Sequence, residues 1–229
     1  MAGGAEMKRN IMGFLIFPLA IAVVLTVIIS WTDADLKIAG FFYAPGKGWF
    51  LGQERLWLFL YHYGTIPGII LSVGGFLVFL LSFVWKEALP YKKSGLFLVV
   101  FMILGPGLVV NTVFKDHWGR PRPDDIVNFG GSKAFHQPWE RGEAGQGGSF
   151  PSGHASAGFF ILAPFFILKK SHRKAALAFL GSGIAFGFFM GAGRMVQGGH
   201  FLTDVIWSGM FTYLTGFTLA YLFRFDPFR

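Results

Sequence analysis

Apolar residues along this chain come in long unbroken runs, and the charged residues collect between them. Residues 11–31 form 21 positions without a charge, about 31 Å of helix at about 1.5 Å per residue, enough to cross a hydrocarbon core. That run is long for the apolar part of a cleaved leader, and no small-x-small site follows it. Residues 32–55 are a polar loop. Residues 56–85 exceed one untilted span, so 56–64, with Trp57, Tyr61 and His62, reads as an interfacial piece and Pro67 as the opening of the second span. Lys86, Lys92 and Lys93 flank a turn, and 94–114 make a third span, kinked at Gly105-Pro106-Gly107.

Residues 116–149 are Gly-rich and charged, with neither helical nor strand period, and a loop of that length in a compact protein is functional or disordered. Pro151 stands where a helix begins, and the apolar run to 168 makes a fourth, short span. Lys169, Lys170, Arg173 and Lys174 close it; 175–193 and 205–223 supply the fifth and sixth. The pattern predicts an all-α polytopic membrane protein. It is a single domain, 1–229, with six transmembrane helices and a long outer loop between the third and fourth.

Composition agrees. The chain is 53% hydrophobic, 18% aromatic and 14% charged, against about a quarter charged in a soluble domain. With no cysteine, disulfides, thiolate chemistry and Cys metal sites are excluded. The net charge of +8 acquires a meaning once it is placed on the spans. Eleven of the 20 basic residues fall in the head, 86–93, 169–174 and the tail, opposed only by Glu6, Glu87 and Asp226. The other side carries nine basic and nine acidic residues. The basic side, both termini included, is therefore cytoplasmic, and the high pI reports topology rather than a nucleic-acid partner.

This topology brings three polar stretches to the outer face: Lys115 with Arg120 and Arg122; Ser149 to His154; and Arg194 to Asp204. If a helix starts near Gly199, His200 and Asp204 share one face at i and i+4, about 6 Å apart at Cβ, and the carboxylate orients the imidazole. Taken alone, the stretch equally reads as a helix cap with a buried histidine. Pro151-Ser152-Gly153-His154 at a helix start offers free N–H groups, a hydroxyl and the positive end of a helix dipole. Lys115, Arg122 and Arg194 would clamp a phosphoryl group, although a lysine at a span end also snorkels. Asp116, His117, Asp124 and Asp125 follow no metal-ligand spacing, so neither metal nor cofactor is expected. The stretch 124–149, with six glycines, Lys133, Phe135, Trp139 and Arg141, is expected to be a mobile outer wall that recognises a headgroup.

Lys115-x6-Arg122-Pro123, Pro151-Ser152-Gly153-His154 and Arg194-x5-His200-x3-Asp204 together resemble the three signature motifs of the type 2 phosphatidic acid phosphatase superfamily, with no signature position departing. The resemblance implies a six-helix core. It also implies His200 as nucleophile forming a phosphohistidine, Asp204 as its orienting partner, and His154 as the acid that protonates the leaving alkoxide. Lys115, Arg122, Ser152, Gly153 and Arg194 would bind the phosphate of a lipid substrate. Gly105 to Asn111, Phe114 to Pro123 and Gln197 to Phe201 further resemble bacterial lipid A phosphatases, especially their 4′-phosphatase branch. That implies a bacterial cytoplasmic membrane with the site on the periplasmic face. The second motif is common to the superfamily. Phosphatases of undecaprenyl diphosphate, phosphatidylglycerol phosphate or phosphatidic acid, and lipid phosphotransferases, therefore remain alternatives. Intact His154, His200 and Asp204 argue against a lipid carrier with a dead site.

Overall fold

The computed structural model describes residues 12–225. Ile11 at the head of the first run, and Glu6, Lys8, Arg9, Asp226 and Arg229 of the charge count, lie outside the described residues. A π-helical turn, Met12–Ile16, leads into α1 (Phe17–Trp31). Next come α2 (Ala34–Gly40), α3 (Arg55–Tyr63), α4 (Ile66–Leu81) and α5 (Lys92–Met102). α6 (Gly153–Phe159) and α7 (Ala163–Leu168) follow, then α8 (Arg173–Val196) and α9 (Leu202–Leu222). Among the described residues the only β-pairing is two isolated bridges.

Among the described residues five helical runs are long and apolar enough to cross a membrane: Gly13–Trp31, Arg55–Leu81, Lys86–Asp125, Arg173–Val196 and Leu202–Leu222. The remaining apolar helix, Gly153–Leu168, is shorter, about 24 Å at about 1.5 Å per residue, below the thickness of a typical hydrocarbon core. α3 and α4 run on as one 27-residue stretch, interrupted only by a turn at Gly64 and Thr65. The expected kink is a π-helical segment, Ile103–Lys115. Pro106 has no N–H to give the ladder, and its carbonyl accepts from Asn111 Nδ2 at 2.6 Å.

Small residues set the helix spacing. A β-carbon on Gly187 of α8 would stand 2.3 Å from Phe159 Cδ1, and one on Gly95 of α5 would stand 2.4 Å from the Gly75 carbonyl of α4. Where lipid tails are as apolar as the side chains, such close approach is what holds helices together. Between the helices lies a phenylalanine cluster that includes Phe97, Phe101, Phe160 and Phe166, with Phe101 and Phe160 edge to face at 5.1 Å. The exposed faces of the spans are apolar, among them Val24, Ile70, Leu77 and Phe188.

Residues 116–149 are pinned rather than free. Ile126 is fully buried against Ala39 and Phe201, with Phe129, Phe135 and Trp49 packed around it. Gly147 lies so close to the Arg120 carbonyl that a β-carbon there would be 2.3 Å from it. The two cations expected to greet a headgroup are spent on the loop itself: Lys133 donates to the Gln146 carbonyl, and Arg141 Nε to the His117 carbonyl at 3.1 Å. Phe135 turns inward onto Phe201, leaving Trp139 as the exposed aromatic of the expected wall.

Candidate active site

The three polar stretches meet at Ser149, two residues before Pro151 of the PSGH turn. Its N–H donates to the Arg120 carbonyl at 3.1 Å. Its hydroxyl donates to Asp204 Oδ2 at 2.5 Å. Its carbonyl accepts from His200 Nδ1 at 2.5 Å. Further ties lock the stretches together: Ser152 N–H to the Asp204 carbonyl at 3.3 Å and Asp124 N–H to the Gly198 carbonyl at 3.0 Å. Ser208 Oγ also donates to the Ser152 carbonyl at 2.9 Å.

The helix expected from Gly199 begins at Leu202, with Phe201 as the extended residue before it. His200 therefore precedes the helix, and the expected i, i+4 face does not form. The reason lies in the cap. Gly198 adopts φ 71°, turning the chain sharply, and the Asp204 carboxylate folds back to accept the Phe201 N–H at 2.7 Å, the reciprocal half of a capping box. Asp204 Oδ2 then stands 3.7 Å from His200 Nδ1, an ion-pair distance and too long for a hydrogen bond. The orienting hydrogen bond comes from the Ser149 carbonyl.

This has a chemical consequence. A carbonyl only accepts, so the proton sits on Nδ1 and the Nε2 lone pair is left for attack. His200 is almost fully buried, and burial pushes its imidazole down to about 4, against the opposing pull of the Asp204 carboxylate. It is neutral at physiological pH.

The cations gather around it. Lys115 and Arg194 are electrostatic neighbours of both His200 and His154. Lys115 and Arg122 both pack on Gly148, where a β-carbon would stand 3.7 Å from Lys115 Cε and 3.3 Å from Arg122 Nη2. Arg194 bonds Gln197 Oε1, lies 4.7 Å over the Tyr61 ring, and keeps a buried Nε that has no hydrogen-bond partner among the described residues. Its Nη2 rests on Gly199, where a β-carbon would come within 2.3 Å. Ser152 caps α6, accepting weakly from Ala155 N–H at 3.4 Å. Gly153 is pressed on Asn111 Oδ1, 2.3 Å from where its β-carbon would be. Among the described residues no three His, Asp or Glu side chains form a metal-ligand set; Asp125 is instead turned to the Arg122 N–H at 3.3 Å.

Three participants were given no part in the chemistry by the sequence, although Arg120 was placed on the outer face beside Lys115 and Arg122. Tyr61, on the piece taken as interfacial, stacks on the His154 ring at 5.0 Å and also lies under the Arg194 guanidinium. Arg120, fully buried, reaches Asp204 Oδ1 at 2.5 Å and Asp35 Oδ2 at 2.9 Å. Asp35, from a loop that carried no motif, accepts the Thr203 N–H at 3.0 Å. A groove of ≈ 730 Å³ between α4, the π-helical segment and α6 is lined by Ile69, Met102, Ile103 and Leu108 together with Lys115 and His154.

A bundle of apolar helices that brings Lys115 and Arg194 beside two histidines fits a lipid phosphatase. Comparison with known proteins agrees: residues 94–227 match the family model of the PAP2 superfamily, and the chain belongs to that superfamily. It is 38% identical over 205 residues to a lipid A 4′-phosphatase of Francisella tularensis subsp. novicida, covering 88% of this chain and 85% of that protein. Lipid A 4′-phosphatases of Rhizobium leguminosarum and Rhizobium etli match at 36% and 33% identity over 106 and 105 residues, which is 44% and 40% of their lengths. No solved structure matches the chain significantly.

Proposed function

We propose that this protein is a six-span lipid phosphatase of the bacterial cytoplasmic membrane that removes a phosphate monoester from lipid A, the 4′-phosphate above all, by way of a phosphohistidine. The observation that carries the reaction is the Ser149 carbonyl on His200 Nδ1, which leaves Nε2 as nucleophile. His200 Nε2 attacks phosphorus while the bond to the sugar oxygen breaks, and His154 delivers a proton to the leaving alkoxide. Water then gives its proton to His154 and attacks phosphorus. The N–P bond breaks and inorganic phosphate leaves. Lys115, Arg122 and Arg194 balance the phosphoryl charge throughout, with Ser152 and the Gly153 backbone completing the cradle. Asp204 and Ser149 hold the imidazole between them.

A lipid is favoured over a soluble phosphate because the groove between the helices is lined by apolar side chains together with Lys115 and His154. Lipid A is favoured among lipids by the relatives' shared activity and by a match spanning most of the Francisella protein. The test is phosphate release by purified protein from lipid A, undecaprenyl diphosphate, phosphatidylglycerol phosphate and phosphatidic acid, with His200→Gln in parallel. Lipid A should be the best substrate by kcat/KM. His200→Gln should release nothing and trap no acid-labile phosphoprotein from 32P-labelled substrate; a labelled His200→Gln protein would remove the nucleophile assignment.

A further inference from the structure

Asp35 is a buried carboxylate from outside residues 94–227, the part matched by the family. It is 3% exposed, sits in the first turn of α2 and binds Arg120 Nη2 at 2.9 Å. The same guanidinium uses Nη1 for Asp204 at 2.5 Å and Nε for the His136 carbonyl at 2.9 Å. Its face lies 4.5 Å over Phe201. Thr203 locks the arrangement, receiving from Arg120 Nη1 at 2.8 Å and donating its hydroxyl to Asp35.

Two carboxylates therefore share one guanidinium. Asp204 and Arg120 alone would form a neutral pair with little field left for a neighbour. With Asp35 included, the cluster has one net negative charge, out of water, whose nearest oxygen to His200 is 3.7 Å from Nδ1. The attack proposed above needs that charge. When Nε2 bonds phosphorus while Nδ1 keeps its proton, the ring becomes a cation, and the other charged or titratable groups facing it, Lys115, Arg194 and His154, offer no anion.

We propose that Asp35 is a positioning residue for phosphoryl transfer: it neutralises Arg120, so that the Asp204 charge remains available to the cationic phosphohistidine. This inference rests on the phosphohistidine reading. It adds no reactant and no bond to the steps above; it assigns the counter-charge for the cation they generate.

The test removes the charge and keeps the shape. Asp35→Asn should lower kcat by about tenfold or more, the scale of one charge contact in a dry site, with KM for the lipid nearly unchanged. The acid limb of the pH profile should move down, because His200 loses a stabilising anion. In 15N-histidine NMR of the resting protein in micelles, the His200 midpoint should fall below that of the wild type. Asp35→Asn combined with Arg120→Gln restores one net negative charge, and should regain turnover and midpoint relative to Asp35→Asn alone. A merely structural Asp35 gives the opposite result, a double variant slower than the single. That outcome, or a single variant with wild-type kcat and midpoint, overturns the proposal. Should Asp35→Asn fail to accumulate, Arg120→Gln compared with the double variant measures the same charge step, and the midpoint must be higher in Arg120→Gln. Wild type inactive on every lipid phosphate would sink the proposed reaction itself, an outcome distinct from an active enzyme indifferent to Asp35.

Discussion

Asp204→Asn separates what holds the imidazole from what stabilises its charge. The carboxylate serves three donors, Arg120 Nη1 at 2.5 Å, Ser149 Oγ at 2.5 Å and Phe201 N–H at 2.7 Å. An amide offers one accepting oxygen and turns an NH2 towards the donors that remain. Asp204 is fully buried, so the variant should lose about 3–5 kcal/mol of stability, the range for breaking a buried ion pair. Its effect on catalysis should be more limited. Where an aspartate alone fixes the tautomer of a catalytic histidine, amidation costs about 10⁴ in kcat. Here the Ser149 carbonyl fixes it, and only the electrostatic contribution is lost, about 10²–10³ in kcat. The assay is kcat for phosphate release at a temperature where both proteins are folded, with denaturation followed in the same detergent. A loss near 10⁴ at unchanged stability would refute the reasoning, since it would return the tautomer to Asp204.

Activity should survive excess EDTA, and should fall as pH drops through about 4, where His200 takes up a proton and its nucleophilic lone pair is lost; loss to chelator with recovery on one divalent ion would count against the mechanism. Gly199→Ala should displace Arg194, whose Nη2 lies 2.3 Å from the new β-carbon, and lower kcat/KM by about tenfold with little change in melting, because the clash is with the end of a long side chain. Single cysteines at Ser132 and Ser171, both exposed in a chain without cysteine, should label from opposite sides of a sealed vesicle. Labelling from the same side contradicts the charge-derived topology.

Five of the six expected spans were legible among the described residues because each is written in local sequence. Unbroken apolar runs have one physical interpretation, and a lysine, arginine, serine or histidine at fixed spacing beside a span end stands out. The start of α9 was not legible for the opposite reason. A helix beginning after a phenylalanine carries no polar N-cap signal, and the role of Asp204 as the third-residue cap appears only once the Gly198 turn is known. Asp35 was hidden further still. Nothing in its neighbours Asp33 and Lys37 distinguishes a buried carboxylate from a solvated one; its contacts are made 85 and 168 positions away. Tyr61 was taken for an interface aromatic because a ring at a span end has that ordinary explanation, and only the stack on His154 displaces it. The stretch 124–149 looked mobile from its glycines, yet at Gly147 the chain makes close backbone contact with Arg120.

The Asp35–Arg120 pair also bears on how such proteins can be recombined. A crossover between this chain and a relative, placed anywhere from 36 to 119, would take the carboxylate from one parent and the guanidinium from the other. If the second parent balances its arginine differently, the hybrid inherits a stranded charge in its interior, and each half can be sound while the whole fails to accumulate. Fragment exchange should therefore keep α2 with the segment after the third span as one hereditary block.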